Sequence, residues 1–496
     1  MAQFQYDREV RFDEFRQRVR RHSPSTLLPV VASRAREQVP RRSWYQGYRI
    51  ETPWALAAAA RVSLLYGDER RSSASATDLR SICAAFASLK TLRRNAAPEA
   101  FRAFFLRMVY EQLPYQADTG YDVARSVAMF RDSLAAIAPA VLTPEALTTA
   151  LGGTVTEFVG TGWLLFASAM NNDGRFLDEW IEGPGFRDVV ADLPASTLRT
   201  LIERAFAADI ATQRSDGLAR AGHDTREPER ERYAYNPLAN RPLVMLQAGR
   251  YLIPSPLLLL RRFTTTGIYY AAMEALGPAI GGDLGAVFEH YTGRQFGLVH
   301  GARLIPEITY GKPEQRTVDW FVVFDDLLLL VEVKAPRLTE AARLGDTALA
   351  NDLERTIGKA RRQIDRTAAL VANEQADLLS AGVPSDLPVR GIIVTLEPYH
   401  LVQSPLIEGM LPPVATPTTV ASIHDLEHMV ALTTGGVAFA EQLRRIQDDP
   451  ELSTWSALAA VRHAWPGRTG TNAILEAANM ELPWRDRRSS DTVNTE

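Results

Sequence analysis

The stretch Arg316 to Arg337, RTVDWFVVFDDLLLLVEVKAPR, constrains this chain more than any other part of its 496 residues. The β-branched, aromatic and apolar residues on either side of Asp325-Asp326 predict two strands joined by a tight turn. With those aspartates as the turn, cross-strand partners sum to 651, so Phe324 faces Leu327 and Asp319 faces Glu332. Directly opposed residues lie about 4.5–5.5 Å apart at Cβ, and like charges there are destabilising unless a third group compensates. A divalent cation would do so. Carboxylate oxygens at that separation suit Mg²⁺ or Mn²⁺, which take one or two carboxylates, waters and substrate phosphate oxygens. Side chains alternate along a strand, so Lys334 projects with Glu332 while Val331 and Val333 point to the other face. A lysine so placed can orient or help deprotonate an attacking water, or neutralise charge building on a phosphate. A turn one residue longer or shorter would send Asp319 to the opposite face.

Composition sharpens this reading. Lysine occurs only at Lys90, Lys312, Lys334 and Lys359, so arginine supplies 51 of the 55 basic residues. Charge alone would be served by arginine. Four lysines and 59 acidic residues make about half an acid-x-Lys match expected by chance. Only Lys334 has an acidic residue two positions before it, and it also ends an apolar strand.

Asp319, a gap, and then Glu332-Val333-Lys334 at a strand end resemble the PD-(D/E)xK nuclease superfamily. The resemblance covers residues 284–396: a helix at Leu284 to Phe296, strands near Leu298 to Ile308, Arg316 to Phe324 and Leu327 to Lys334, a helix at Thr347 to Asn373, and a strand at Val389 to Leu396. Val318 stands where the motif's name has proline, a variable position. The resemblance implies a restriction-endonuclease-like α/β core of order αβββαβ, its mixed sheet flanked by helices. It also implies Mg²⁺ or Mn²⁺ held by Asp319, Glu332 and the backbone carbonyl of Val333. Glu289, in VFEHYTGRQF, matches the acidic residue that the first helix often adds, and Gln363, in KARRQIDR, matches the glutamine that the second helix often sends to the site. The implied activity is metal-dependent hydrolysis of phosphodiester bonds in nucleic acid, with a DNA endonuclease of anti-phage defence or repair as the expectation. The alternative is a nuclease-like module that binds nucleic acid or protein without cutting.

A chain of this length predicts two or three domains. Apolar residues at helical spacing from Asp7 to about Ser215 predict an all-α domain over 1–225. The charged stretch Asp216 to Arg232 reads as a linker. A hairpin around Ala248-Gly249 and an apolar helix make a connector over 226–282, followed by the nuclease-like domain at 283–415, C-terminal helices at 416–484 and a disordered tail at 485–496. The fold class is therefore α plus α/β. Cys83, the sole cysteine, reads as a core residue. The N-terminus lacks an export signal and no apolar stretch approaches the roughly 18 residues of a membrane span, so a cytoplasmic protein with no membrane partner is expected. A net charge of −4 argues against general coating of polyanions, so contacts to phosphate must be local.

Two basic features bear on a partner. Leu349, Leu353, Ile357, Ala360, Ile364, Ala368 and Val371 form an apolar helical stripe, and Arg355, Lys359, Arg362 and Arg366 form a second one. The second stripe either contacts phosphates or is a solvated face balanced by Asp352, Glu354 and Asp365. In the first 61 residues, Arg41, Arg42 and Arg49 interleave with Trp44, Tyr45 and Tyr48, as in single-strand binders or as simple packing. A homo-oligomer or a partner protein engaged through the N-terminal domain stays open. His424-Asp425-Leu426-Glu427-His428 spells the inverted zinc-peptidase pattern, but Ser422 and Asp425 there also read as a helix capping box. No P-loop or G-x-S-x-G occurs, so hydrolysis would be metal-assisted rather than run through a side-chain nucleophile.

Overall fold

The computed structural model describes residues 9–39, 50–89, 97–115, 120–221, 231–345 and 348–482. It is a mixed helix-and-sheet molecule that divides into two compact units. One comprises Met1–Val127, Pro144–Gly277 and Asn479–Glu496, and the other Ala128–Thr143 and Pro278–Ala478. The basic-aromatic segment with Arg41, Trp44, Tyr45 and Tyr48, and the expected tail at 485–496, lie outside the described residues. Among the described residues no helix is long and apolar enough to cross a membrane.

Helices Pro24–Gln38, Pro53–Tyr66 and Ala76–Ala87 build the core of the first unit around Phe15, Leu27, Leu56 and Phe86. Their starts follow from local chemistry. Thr52 accepts from the Ala55 N–H ahead of Pro53, and Ser75 and Asp78 form a reciprocal capping box. Cys83 is buried there. This region is not all helical. Strands β1 (Arg175–Leu177), β2 (Ala207–Asp209), β3 (Leu243–Gln247) and β4 (Arg250–Leu252) form a sheet of order β1-β4-β3-β2. The β3–β4 hairpin turns at Ala248 and Gly249, where Gly249 takes a positive φ. Strands of three residues are too short to show a period of two, which is why β1 and β2 read as helical sequence. Their ladders to β4 and β3 tie the hairpin into this unit, so the described residues 231–277 are part of it rather than a connector.

The second unit begins its α/β order with helix α1 (Gly281–Phe296) and β5 (Arg303–Pro306). A small ribbon, β6 (Thr309–Tyr310) and β7 (Gln315–Arg316), precedes β8 (Trp320–Phe324) and β9 (Leu327–Lys334). A helical run through Ala348–Leu353 and a wider π-type turn at Glu354–Gly358 leads into α2 (Lys359–Ala372). Strands β10 (Val389–Thr395) and β11 (Thr418–Ser422) follow, then α3 (Ile423–Thr434) and helices Phe439–Asp448, Ala457–Ala464 and Ala473–Met480. The sheet order is β11-β10-β9-β8-β5; β8 is antiparallel to both neighbours, and β9, β10 and β11 run parallel. The extension expected to be helical over 416–484 thus opens with an edge strand, because the threonine-rich run after Pro417 pairs with β10 instead of forming a loop.

Leu327 through Glu332 are all buried, so both faces of β9 are covered, and α1 and α2 pack against it. α2 and the turn before it do so with Ile357, Ala360, Ile364 and Val371. Residues 128–143 join this unit through α1. The Asp283 carboxylate accepts the N–H groups of Ala140, Val141 and Leu142 at 2.6–3.0 Å, and Arg294 donates to the Ala128 carbonyl and the Ser133 hydroxyl.

Candidate functional site

The β8–β9 ladder runs from Phe324↔Leu327 to Trp320↔Val331, which is the register that an Asp325-Asp326 turn sets. It stops one pair short of Asp319 and Glu332. Asp319 sits in a bend just before β8, and its carboxylate crosses to β9, where Oδ2 accepts the Val333 N–H at 2.6 Å. The side chain thus replaces the backbone acceptor that a continued ladder would offer. The carbonyl of Val333 points the same way as its N–H, past the end of the ladder, since both groups of a strand residue share one side.

Glu332 is 1% exposed. Its Oε1 accepts from Lys334 Nζ, while Oε2 is buried without a hydrogen-bond partner. An unpaired buried carboxylate oxygen is costly. Burial, and next the charge of Asp319, push the Glu332 carboxyl up to about 8. Burial also raises Asp319, opposed first by the Val333 N–H and then by the charges of Lys334, Arg316 and Lys359. Glu289, half-buried on α1, is pushed up to about 7 by burial and by Asp319. α1 is held here by Trp320, whose Nε1–H donates to the Glu289 carbonyl at 3.2 Å and whose ring lies where a Cβ on Gly293 would be, 2.5 Å away.

A fourth carboxylate belongs to this cluster. The β5–β8 ladder pairs Pro306 with Trp320, and one further step sets Glu307 across from Asp319. Continued in both ladders, the register lines Glu307, Asp319 and Glu332 across three neighbouring strands. Burial raises Glu307, with Asp319 opposing its ionisation and Arg316, paired with it at 3.0 Å, favouring it. Sequence reasoning missed Glu307 because no tight turn sets the β5–β8 register; a carboxylate directly after the first strand was the available signal.

Other expected residues take different places. Gln363 does not reach the carboxylates. Its amide donates to the Thr317 carbonyl at 2.6 Å, and with Arg366, which donates to the Arg316 carbonyl, and Thr367, which accepts the Val318 N–H, it clamps the approach to Asp319 onto α2. Arg355 pairs with Asp352, and Arg362 with Glu354. These two therefore read as a balanced surface, whereas the charge of Lys359 is felt at Asp319.

The zinc-like pattern is occupied by structure. Glu427 is buried and accepts the Tyr291 hydroxyl at 2.7 Å, inside a network that continues through Gln295 to Asn472. Ser422 and Asp425 form the capping box of α3. Among the described residues no three His, Cys, Asp or Glu side chains gather closely enough to make a metal site by themselves. A cation at the Asp319–Glu332 position would therefore draw further ligands from backbone, water or substrate. No protein-family model, curated protein or solved structure matches this chain.

Proposed function

We propose that the unit carrying β9 is a metal-dependent phosphodiesterase acting on nucleic acid, with DNA the expected substrate and Mg²⁺ or Mn²⁺ the cofactor. One observation carries the reading: the buried, unpartnered Oε2 of Glu332 lies at the strand end where Asp319 crosses to β9 and where Lys334 joins it. Two carboxylates brought together in a partly buried place, with one lysine paired to one of them, form a cation site more readily than a stabilising contact.

The donor set fits a hard divalent ion. Asp319, Glu332 and the carbonyl of Val333 would hold it, with Glu289 assisting through water rather than as a third carboxylate ligand, and an oxygen-only set of this size leaves room for water and phosphate. Bound there, the ion supplies Lewis-acid chemistry, polarising a phosphoryl oxygen and easing loss of a proton from water. Lys334 brings positive charge to bear on the phosphoryl oxygens as negative charge builds on them. Glu332 orients Lys334 through its other oxygen. Gln363, Arg366 and Thr367 are positioning residues that keep the backbone before Asp319 fixed on α2.

Incubating the purified protein with supercoiled plasmid tests this reading. Cleavage is expected with Mg²⁺ and is lost in EDTA and in Asp319→Ala. Cleavage untouched by that substitution overturns the site, and no cleavage of any DNA or RNA form overturns the enzyme reading in favour of a binding module.

A further inference from the structure

The acidic cluster raises a question of charge. A nucleic-acid backbone must approach Glu289, Glu307, Asp319 and Glu332, and of the basic stripe Arg355, Lys359, Arg362 and Arg366 only the charge of Lys359 is felt there, because Arg355 and Arg362 are engaged with Asp352 and Glu354 and Arg366 donates to the Arg316 carbonyl. Arg316 is placed differently. It ends β7, three residues before Asp319, and its side chain is 73% exposed. Its backbone is fixed: the carbonyl accepts from Arg366 at 2.9 Å, and β7 pairs it with Thr309 across the ribbon. Among the described residues only Nη1 is engaged, on Glu307 at 3.0 Å, which leaves one edge of the planar guanidinium for a phosphate. Its charge is felt at Asp319, Glu289 and Glu307 together. An exposed ion pair like Arg316–Glu307 contributes little to stability. Its consequence is positional, since it holds the solvent-exposed guanidinium beside Glu307, at one end of the carboxylate row.

We propose that Arg316 contacts the substrate's phosphodiester backbone beside the carboxylate row, and that Glu307 is the positioning residue that holds its guanidinium there. This subsite rests on the nucleic-acid reading above and goes beyond it, because neither residue belongs to the motif that suggested that reading. The ribbon β6–β7 thereby gains a purpose: it is the arm that presents a cation to a site otherwise rich in anions.

Fluorescence anisotropy tests the subsite, with the full-length protein, a short fluorescein-labelled DNA duplex, and EDTA to keep the duplex whole. Arg316→Ala is expected to weaken binding about tenfold and to lower the slope of log affinity against log salt by about 1. Arg316→Lys should restore most of that slope, because it returns the charge. Glu307→Gln should also weaken binding, although it removes a negative charge from the path of the phosphate. Unchanged affinity and slope in Arg316→Ala overturn the subsite while leaving the nuclease reading intact. Tighter binding by Glu307→Gln overturns the positioning role, since Glu307 would then only repel. Wild-type protein that binds the duplex through Arg316 but fails to cut the plasmid supports the subsite and sinks the nuclease reading alone. Wild-type protein that does not bind the duplex sinks the subsite.

Discussion

Strands β9 and β3 earn their places in opposite ways. In β9 every residue from Leu327 to Glu332 is buried, so the strand carries its own reason to sit in the middle of a sheet. In β3 burial fades along the strand: Leu243 and Val244 are buried, Met245 is half-buried, and Leu246 is 38% exposed. β3 exists because β2 and β4 pair with it. The difference shows where chemistry can be placed. A strand held by apolar burial along five residues can end in Glu332 and Lys334, charged groups that would be a liability in a strand that depends on every contact.

The largest expected effect tests the polar end of β9. Lys334→Ala should lower plasmid cleavage about 1,000-fold, roughly 4 kcal/mol of transition-state stabilisation, when both proteins are assayed below their thermal midpoints, since the variant also loses the partner of Glu332 Oε1. An active Lys334→Ala would remove chemistry from the strand end. The next tests the apolar part. Leu330→Ala removes a buried side chain and should cost about 3 kcal/mol in denaturant unfolding. Leu246→Ala, at the exposed end of β3, should stay within about 0.5 kcal/mol. Equal costs at the two positions would erase the contrast between the strands.

A smaller effect is expected with pH. Glu332 and Glu289 have folded values of about 8 and about 7, raised mainly by burial. A carboxyl raised on folding binds more protons in the native than in the unfolded protein. Its contribution is fully present below the unfolded value and is lost as pH rises through the folded one. In EDTA, the thermal midpoint of the wild type should therefore fall between about pH 5 and pH 8 relative to that of Glu332→Gln, which has no proton to lose. Added Mg²⁺ should reverse part of that fall. Parallel profiles for the two proteins would mean that Glu332 is already ionised at low pH.

Legibility followed the same division. The hairpin register from Trp320 and Val331 to the turn, and the apolar stripe on α2, were readable because a two-residue turn and a strict period leave few alternatives. Glu307 and Arg316 were not. They meet between the residue after β5 and the end of β7, next to a ribbon whose strands are two residues each and whose pairing depends on the chain between β5 and β8. The partner of Gln363 was equally hidden, since a glutamine near a site can reach a ligand or a backbone carbonyl with the same reach. β11 and the three-residue strands of the other sheet are set by the neighbours they pair with, and no local pattern records a neighbour.

The last expected effect lies in the first unit and has the opposite sign with pH. Asp78 is held below its usual range by the side chain and N–H of Ser75, while Ser75 accepts from the Asp78 N–H in return. Ser75→Ala removes the hydroxyl from this capping box and should cost about 1 kcal/mol near neutral pH. A carboxyl lowered on folding contributes above its unfolded value and loses that contribution as pH falls through the folded one. The gap between Ser75→Ala and wild type should therefore be widest near neutrality and narrow toward pH 3, where protonated Asp78 no longer accepts two bonds as an anion. Denaturant unfolding of both proteins across that range measures it. A gap that grew on acidification would mean that Ser75 stabilises the helix start without Asp78, and that the two units do not oppose each other in their response to protons.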